Sequence, residues 1–213
     1  MRLDGSLLVP TALSMSRVSQ DELSLSPEVV EITRLVRLTL GGDSAAFEQI
    51  ILRYETRVMS TATRLLGAKD DARDVAQEVF LRAFKYLHRL DLQKPVEPWL
   101  MGITVNVCRD AVRRRQRRRD TFSEIEAAPE TIDQSADPYA GAVRKQERLI
   151  LQKALNGLPD KERLAIVLRD VEGLSTADVA SILQSSETTV RSQVSRGRLR
   201  LKGAIDRLMG GER

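Results

Sequence analysis

Cysteine and histidine are almost absent from this 213-residue chain, which holds one of each, Cys108 and His88. A single cysteine excludes an intrachain disulfide framework and a multi-cysteine zinc site, and it fits a reducing compartment. A single histidine leaves no His-based metal cluster and makes a Ser-His-Asp arrangement untenable as a first reading. Aromatic residues make up only 4% of the chain, fewer than a β-sandwich or barrel normally uses. No apolar run approaches the roughly 20 residues needed to span a bilayer. Leu7-Leu8-Val9 is cut at once by Pro10, with Asp4 nearby, and does not read as a secretory signal. These absences lead to the expectation of a cytoplasmic protein with no metal and no cofactor.

What is present favours helices. The seven prolines (Pro10, Pro27, Pro95, Pro98, Pro129, Pro138, Pro159) fall between helix-like stretches, as they should when each removes a hydrogen bond from a helix interior. The net charge of +4 hides a strong segregation: Arg109 to Arg119 holds seven arginines and one acid, whereas Asp120 to Pro138 holds six acids and no base. The acidic stretch has little apolar periodicity and reads as a linker. We therefore expect an all-α chain: a flexible tail over 1–26 of no assignable role, a helical domain over 27–118, a flexible acidic linker over 119–139 and a second helical domain over 140–210. Helices are expected near 28–40, 43–66, 70–90 and 98–116, then near 141–156, 160–171, 175–183 and 187–208, as two bundled or orthogonal sets of four.

Residues 175–202 carry the sharpest local pattern. Ser175-Thr176-Ala177-Asp178 has capping-box spacing, and Leu174, Val179, Ile182 and Leu183 form the apolar face of a short helix. Gln184-Ser185-Ser186 supplies a tight turn, with Ser186 as cap of the next helix. At about 100° per residue, Val190, Val194, Leu201 and Ile205 make one inward stripe. Opposite lie Ser192, Ser195 and Arg196, flanked by Arg191, Arg200 and Lys202, with Leu199 on the same side. Supporting helix, turn and a small-polar, arginine-bearing helix is the layout that enters a major groove. The plainer alternative is a helical hairpin with a solvated basic face; the agreement of capping, turn and periodicity favours DNA.

Two further faces lie upstream. Between Asp71 and Leu90, Val75, Ala76, Val79, Phe80, Ala83, Phe84 and Leu87 form an apolar arc. The opposite side is Asp74, Gln77, Glu78, Leu81, Lys85 and His88, with Leu81 alone at its centre. A solitary exposed leucine usually means little, but one ringed by polar side chains also has the layout of an interface anchor. His88 reads as a surface residue. In the next helix Leu100, Ile103, Val107 and Ala111 turn inward, while Trp99, Gly102, Asn106, Arg109 and Arg113 share a second ridge. An aromatic, an amide and arginines on one ridge can stack on unpaired bases, bond base edges and hold phosphates. Trp99 serves equally well as a core residue, and the arginine run as nonspecific charge.

Taken together, these residues resemble the extracytoplasmic-function sigma factors, small two-domain sigma subunits of bacterial RNA polymerase in the sigma-70 family. Asp74-Val-Ala-Gln77-Glu78-Val-Phe80-Leu-Arg82-Ala-Phe84 is similar to region 2.2 of that family. The run from Trp99 through Asn106 and Asp110 to Arg113 is similar to its promoter-melting segment. Leu158-Pro159-Asp-Lys-Glu162-Arg163, Gly173-Leu174-Ser175 and the run from Thr189 to Arg198 are similar to region 4. The likeness covers roughly residues 28–208. It departs at Gly102, where the family often carries arginine, at Thr176, where an aromatic is common, and in a longer tail. The resemblance implies a non-enzymatic specificity subunit without a small-molecule substrate. Asp74, Gln77, Glu78, Leu81 and Lys85 would meet the polymerase clamp. Trp99, Asn106, Arg109 and Arg113 would capture the melted −10 element. Arg191, Ser192, Ser195, Arg196, Arg200 and Lys202 would read the −35 duplex, with the polymerase flap beside them, and an anti-sigma factor would hold the protein inactive. A linker of about 20 residues reaches at most about 65–70 Å at roughly 3.3–3.6 Å per residue, matching about 70 Å for two turns of DNA.

Two other classes compete. A stand-alone helix-turn-helix regulator would bind duplex DNA without polymerase and has no use for the Trp99–Asn106–Arg109 ridge. An enzyme acting on nucleic acid would need a paired-carboxylate metal site, a phosphate loop or a Cys/His constellation, and the sequence offers none of these.

Overall fold

The computed structural model describes residues 27–67, 69–121 and 138–210, all organised around α-helices. The tail expected over 1–26 and most of the expected linker lie outside the described residues. The first domain consists of α1 (Pro27–Leu40), α2 (Ser44–Leu66), α3 (Lys69–Tyr86) and α4 (Val96–Thr121), with a 3₁₀ turn at Leu87–Arg89 after α3. The second consists of α5 (Pro138–Asn156), α6 (Asp160–Ile166), a π-helical turn at Val167–Val171, α7 (Thr176–Leu183) and α8 (Glu187–Gly210).

Local chemistry sets the breaks. Asp43 caps α2 by accepting from the amides of Ala45 at 2.9 Å and Ala46 at 3.2 Å. Gly67 ends α2 in the left-handed region, φ 77°, where glycine carries no Cβ penalty. On α2 the buried residues Phe47, Ile50, Tyr54, Val58, Thr61, Ala62 and Leu65 recur at spacings of three and four, so one continuous stripe packs against α1, α3 and α4. The Tyr54 hydroxyl donates to Glu97 at 2.7 Å, tying α2 to the first turn of α4. Burial, with the Glu97 carboxylate beside it, pushes the Tyr54 phenol well above its ordinary range.

Several expectations are corrected. Pro98 lies inside α4, two residues after its start; the first turn tolerates it because its amide would have no intrahelical partner. α4 also runs past 116 to Thr121, and α5 begins at Pro138, so both ends of the expected linker segment are helical. The helix expected over 160–171 widens into a π turn from Val167. Phe84, expected in the core, is 55% exposed and meets only the edge of the arc, with its ring 4.9 Å from that of Phe47. It stands about 40° beyond Phe80, outside the width that α2 and α4 can cover.

The two domains share one hydrophobic core. α4 lies at its centre, against α2 and α3 on one side and α7 on another. Leu100, Met101, Thr104, Val105, Val107 and Cys108 are therefore all buried, a wider arc than the sequence pattern marks. Ile103 and Ala111, expected inside, are half-buried.

Candidate nucleic-acid and polymerase interfaces

The helix-turn-helix forms as its capping residues dictate. The Ser175 hydroxyl accepts from the Asp178 amide at 3.0 Å, and the Ser186 hydroxyl from the Thr189 amide at 3.1 Å. Between them Gln184 takes the left-handed conformation, φ 52°, which closes the turn within three residues. Val190 and Val194 are buried and Leu201 and Ile205 half-buried, as the stripe requires. Ser192, Ser195, Arg196, Arg200 and Lys202 are exposed on α8. Arg191 is exposed as well, with its guanidinium on Glu187 at 2.6 Å.

Three features beneath this face were not marked by the sequence pattern. Glu162 of α6 is buried, and its Oε2 accepts no hydrogen bond. Its charge is met by Arg200 Nε at 3.5 Å and Arg196 Nε at 4.0 Å, so a buried acid underlies both cations. Arg198 donates through Nε and Nη2 to the two oxygens of Asp170, at 2.8 and 2.5 Å, fixing α8 to the π turn. Gly197 lets α8 seat against α6, since a Cβ there would lie 2.8 Å from Ile166 Cγ1. Capping and periodicity rules see only neighbours along the chain, whereas these three contacts join α8 to residues 28 or more positions away.

On α3, Asp74, Gln77, Leu81 and Lys85 are exposed, with Leu81 at 60%. Glu78 is half-buried and accepts from Arg82 Nε at 2.7 Å; Arg82 Nη1 donates to Asp110 at 3.0 Å, so this part of the face also braces α4. Phe84 stands one turn from Leu81 and extends the exposed apolar patch to two residues. The rule that assigned Phe84 to the core counted its hydrophobicity and not the limited width of the groove.

The α4 ridge is less open. Asn106 and Arg113 are exposed and Arg109 is half-buried. Trp99 is half-buried and packs on the core, with part of its surface left exposed. Gly102, between Trp99 and Asn106, faces Ile182 of α7, which would lie 3.7 Å from a Cβ there. A Cβ at 102 would thus make ordinary van der Waals contact with Ile182. Cys108 is buried against the opposite side of α4, and burial pushes its thiol up to about 12. Among the described residues no group of three His, Cys, Asp or Glu side chains is placed to hold a metal ion, and no helix is long and apolar enough to cross a membrane.

Comparison with known proteins bears on both halves. Residues 50–118 match Sigma-70 region 2, and residues 148–201 match Sigma-70, region 4. The chain is 38% identical over 168 residues to the ECF RNA polymerase sigma factor SigE of Mycolicibacterium smegmatis, covering 76% of this chain and 63% of that protein. It is 28% identical to the ECF RNA polymerase sigma factor SigW of Bacillus subtilis, over 80% of this chain and 95% of that one. Among solved structures, the sigma factor RpoE from Bartonella quintana, in complex with the anti-sigma factor NepR, is similar with a TM-score of 0.64 at 25% identity, over 75% of this chain and 96% of that one. With both sigma regions matched in order on helices that carry the α3, α4 and α8 faces, the chain belongs to the sigma-70 family of RNA polymerase sigma factors, in its extracytoplasmic-function group.

Proposed function

We propose that this protein directs transcription initiation by binding core RNA polymerase and reading a −10 and a −35 promoter element. It acts as a non-enzymatic subunit in the cytoplasm, with an anti-sigma factor as its inhibitor. The division of labour follows the domains: 27–118 for polymerase and the −10 strand, 119–139 as connection, 140–210 for the −35 duplex. The observation that carries the reading is the pairing of two different nucleic-acid faces in one chain. α8 presents Ser192, Ser195 and Arg196 on a capped helix of groove-entering layout. α4 presents Trp99, Asn106, Arg109 and Arg113, an aromatic and polar set suited to unpaired bases. Arg191, Arg200 and Lys202 flank the groove face as outer-base or phosphate contacts. A stand-alone duplex reader needs the first face and has no use for the second.

On α3, Leu81 with Asp74, Gln77, Glu78 and Lys85 forms the clamp-facing surface, and Phe84 enlarges its apolar centre. Runoff transcription with purified core polymerase on a library of promoter fragments tests the whole reading. Wild-type protein should select a subset of fragments sharing two elements about two helical turns apart. Leu81→Glu should abolish both co-purification with core and runoff product while helicity by circular dichroism persists, because anchor residues typically cost 2 kcal/mol or more, as an order of magnitude, when removed. Binding to isolated duplex with no dependence on polymerase would favour the regulator instead.

A further inference from the structure

Glu162 lies in the first turn of α6 and is buried. α8 crosses directly above it because Gly197 carries no side chain: a Cβ there would lie 3.4 Å from the Glu162 Cβ. Arg196 and Arg200 stand on either side of that crossing. Arg200 Nε is 3.5 Å from one carboxylate oxygen and Arg196 Nε is 4.0 Å from the other. These are ion pairs rather than hydrogen bonds, and Oε2 accepts no hydrogen bond among the described residues. Arg198, between them in sequence, is used differently. It closes on both oxygens of Asp170 at 2.8 and 2.5 Å and is committed within the protein. Arg196 and Arg200 keep more than half of their side-chain surface exposed.

Stability accounts poorly for Glu162. A buried carboxylate is costly unless paired and hydrogen-bonded, and a similar-sized apolar side chain in its place is often neutral or stabilising. What Glu162 supplies is a fixed negative charge beneath two flexible cations. An anchor at Nε leaves the Nη1–Nη2 edge of a guanidinium for an outer partner, and that edge matches the paired acceptors of a guanine. A guanidinium set in place beforehand also loses less freedom when it meets a base. The same charge opposes phosphates, so it lowers nonspecific attraction while the base contact is kept, and selectivity is the difference between the two.

We infer that Glu162 is a positioning residue for promoter reading, holding Arg196 and Arg200 by their Nε atoms so that α8 meets a base edge selectively. Glu162 lies too deep to touch DNA itself and acts only through the two arginines. This role rests on the −35 reading of α8.

The test uses holoenzyme reconstituted from core polymerase and the full-length chain. Binding is measured to a duplex promoter fragment selected in the runoff series and to each of its single-base −35 variants. Glu162→Gln keeps the shape of the side chain and removes its charge. Discrimination at the position that Arg196→Ala identifies should fall about fivefold or more, the lower end of what a bidentate base contact supplies. Binding to unrelated duplex should stay level or tighten, and the midpoint of thermal unfolding should not fall. Glu162→Met, apolar and of similar size, should reproduce the lost preference. In an Arg196→Ala chain, Glu162→Gln should change preference at that position no further, because the two residues act as one unit. A lower unfolding midpoint with preference intact would make Glu162 structural and overturn the proposal. Equal weakening for every sequence, or an effect undiminished in the Arg196→Ala chain, would overturn it too. If wild-type holoenzyme shows no preference among the −35 variants, the −35 reading itself falls. A wild-type preference that both Glu162 variants retain overturns the positioning role alone.

Discussion

On α8 the side chains proposed to meet DNA stand on an exposed face, braced from below, while on α4 the corresponding ridge is half-covered by the other domain. α8 is capped by Ser186, pinned through Arg198 to Asp170, and its outward residues are solvated. α4 has Trp99 packed on the core and Ile182 over Gly102. The difference suits the partner proposed for each face. Duplex DNA presents its groove edges at all times, so its reader can be prepared in advance. Unpaired bases exist only after melting, so a stacking ridge has nothing to hold beforehand and can stay covered.

The strongest way to break this comparison is Gly197→Val. Forcing a branched side chain to within 2.8 Å of Ile166 Cγ1 overpacks the α6–α8 contact, at about 1–3 kcal/mol. Thermal unfolding should register the loss, and duplex −35 binding should fail. Binding of a single-stranded −10 oligonucleotide should persist or strengthen, since the α4 ridge is unchanged. Equal loss of both activities would show that the two faces are one cooperative unit.

Next come Asn106→Ala and Trp99→Ala. Loss of base stacking costs roughly 1–3 kcal/mol, so runoff from duplex promoters should fall for both, more for the tryptophan. Recruitment to the −35 element should remain. A template melted in advance over the −10 element should restore much of the activity. Trp99→Ala should also lower the melting temperature, because the ring packs on the core, whereas exposed Asn106→Ala should leave it unchanged. Failure of Asn106→Ala to lower runoff from duplex promoters would remove the ridge from strand capture.

A finer test separates reading from holding on α8. Arg196→Ala should relax preference at one −35 position by about 1–3 kcal/mol. Lys202→Ala should weaken all sequences alike and flatten the salt dependence by about one unit of slope. A binding series over single-base −35 variants at two salt concentrations distinguishes them. A uniform shift with Arg196→Ala would make this residue a clamp.

The smallest effect concerns Cys108, on the buried side of α4. Its folded pKa, raised to about 12 by burial, lies above the ordinary thiol value. The folded chain therefore holds this proton more tightly than the unfolded chain, and the resulting contribution to stability is present below the unfolded pKa and lost as pH rises toward about 12. At neutral pH a thiol reagent should modify Cys108 only after unfolding. Rapid labelling of native protein would mean that α4 is not seated as described.

Most of the helical order was legible because glycine, proline and capping serines act on their immediate neighbours. The stripe of Val190 and Val194, the caps Ser175 and Ser186, and the exposure of Leu81 all follow from period and chemistry alone. Phe84 was misread because hydrophobicity gives a side chain's preference and not the width of the groove available to it. Glu162 and Glu172 look like surface acids in the sequence; they are buried by partners 34 or more residues away that no local rule can supply. Trp99 suits core and ligand alike in the sequence for the same reason, since its packing on the core depends on residues that no local rule supplies.

α4 is unbroken over 26 residues from Val96 to Thr121, about 39 Å at 1.5 Å per residue. The ridge at Trp99–Arg113 and the point where the chain leaves toward the second domain are thus parts of one stiff rod. A displacement at the C-terminal end of that rod would be delivered along it to the ridge proposed to hold the strand. A lever of this kind would let the distance between two DNA elements be felt mechanically at the proposed site of melting.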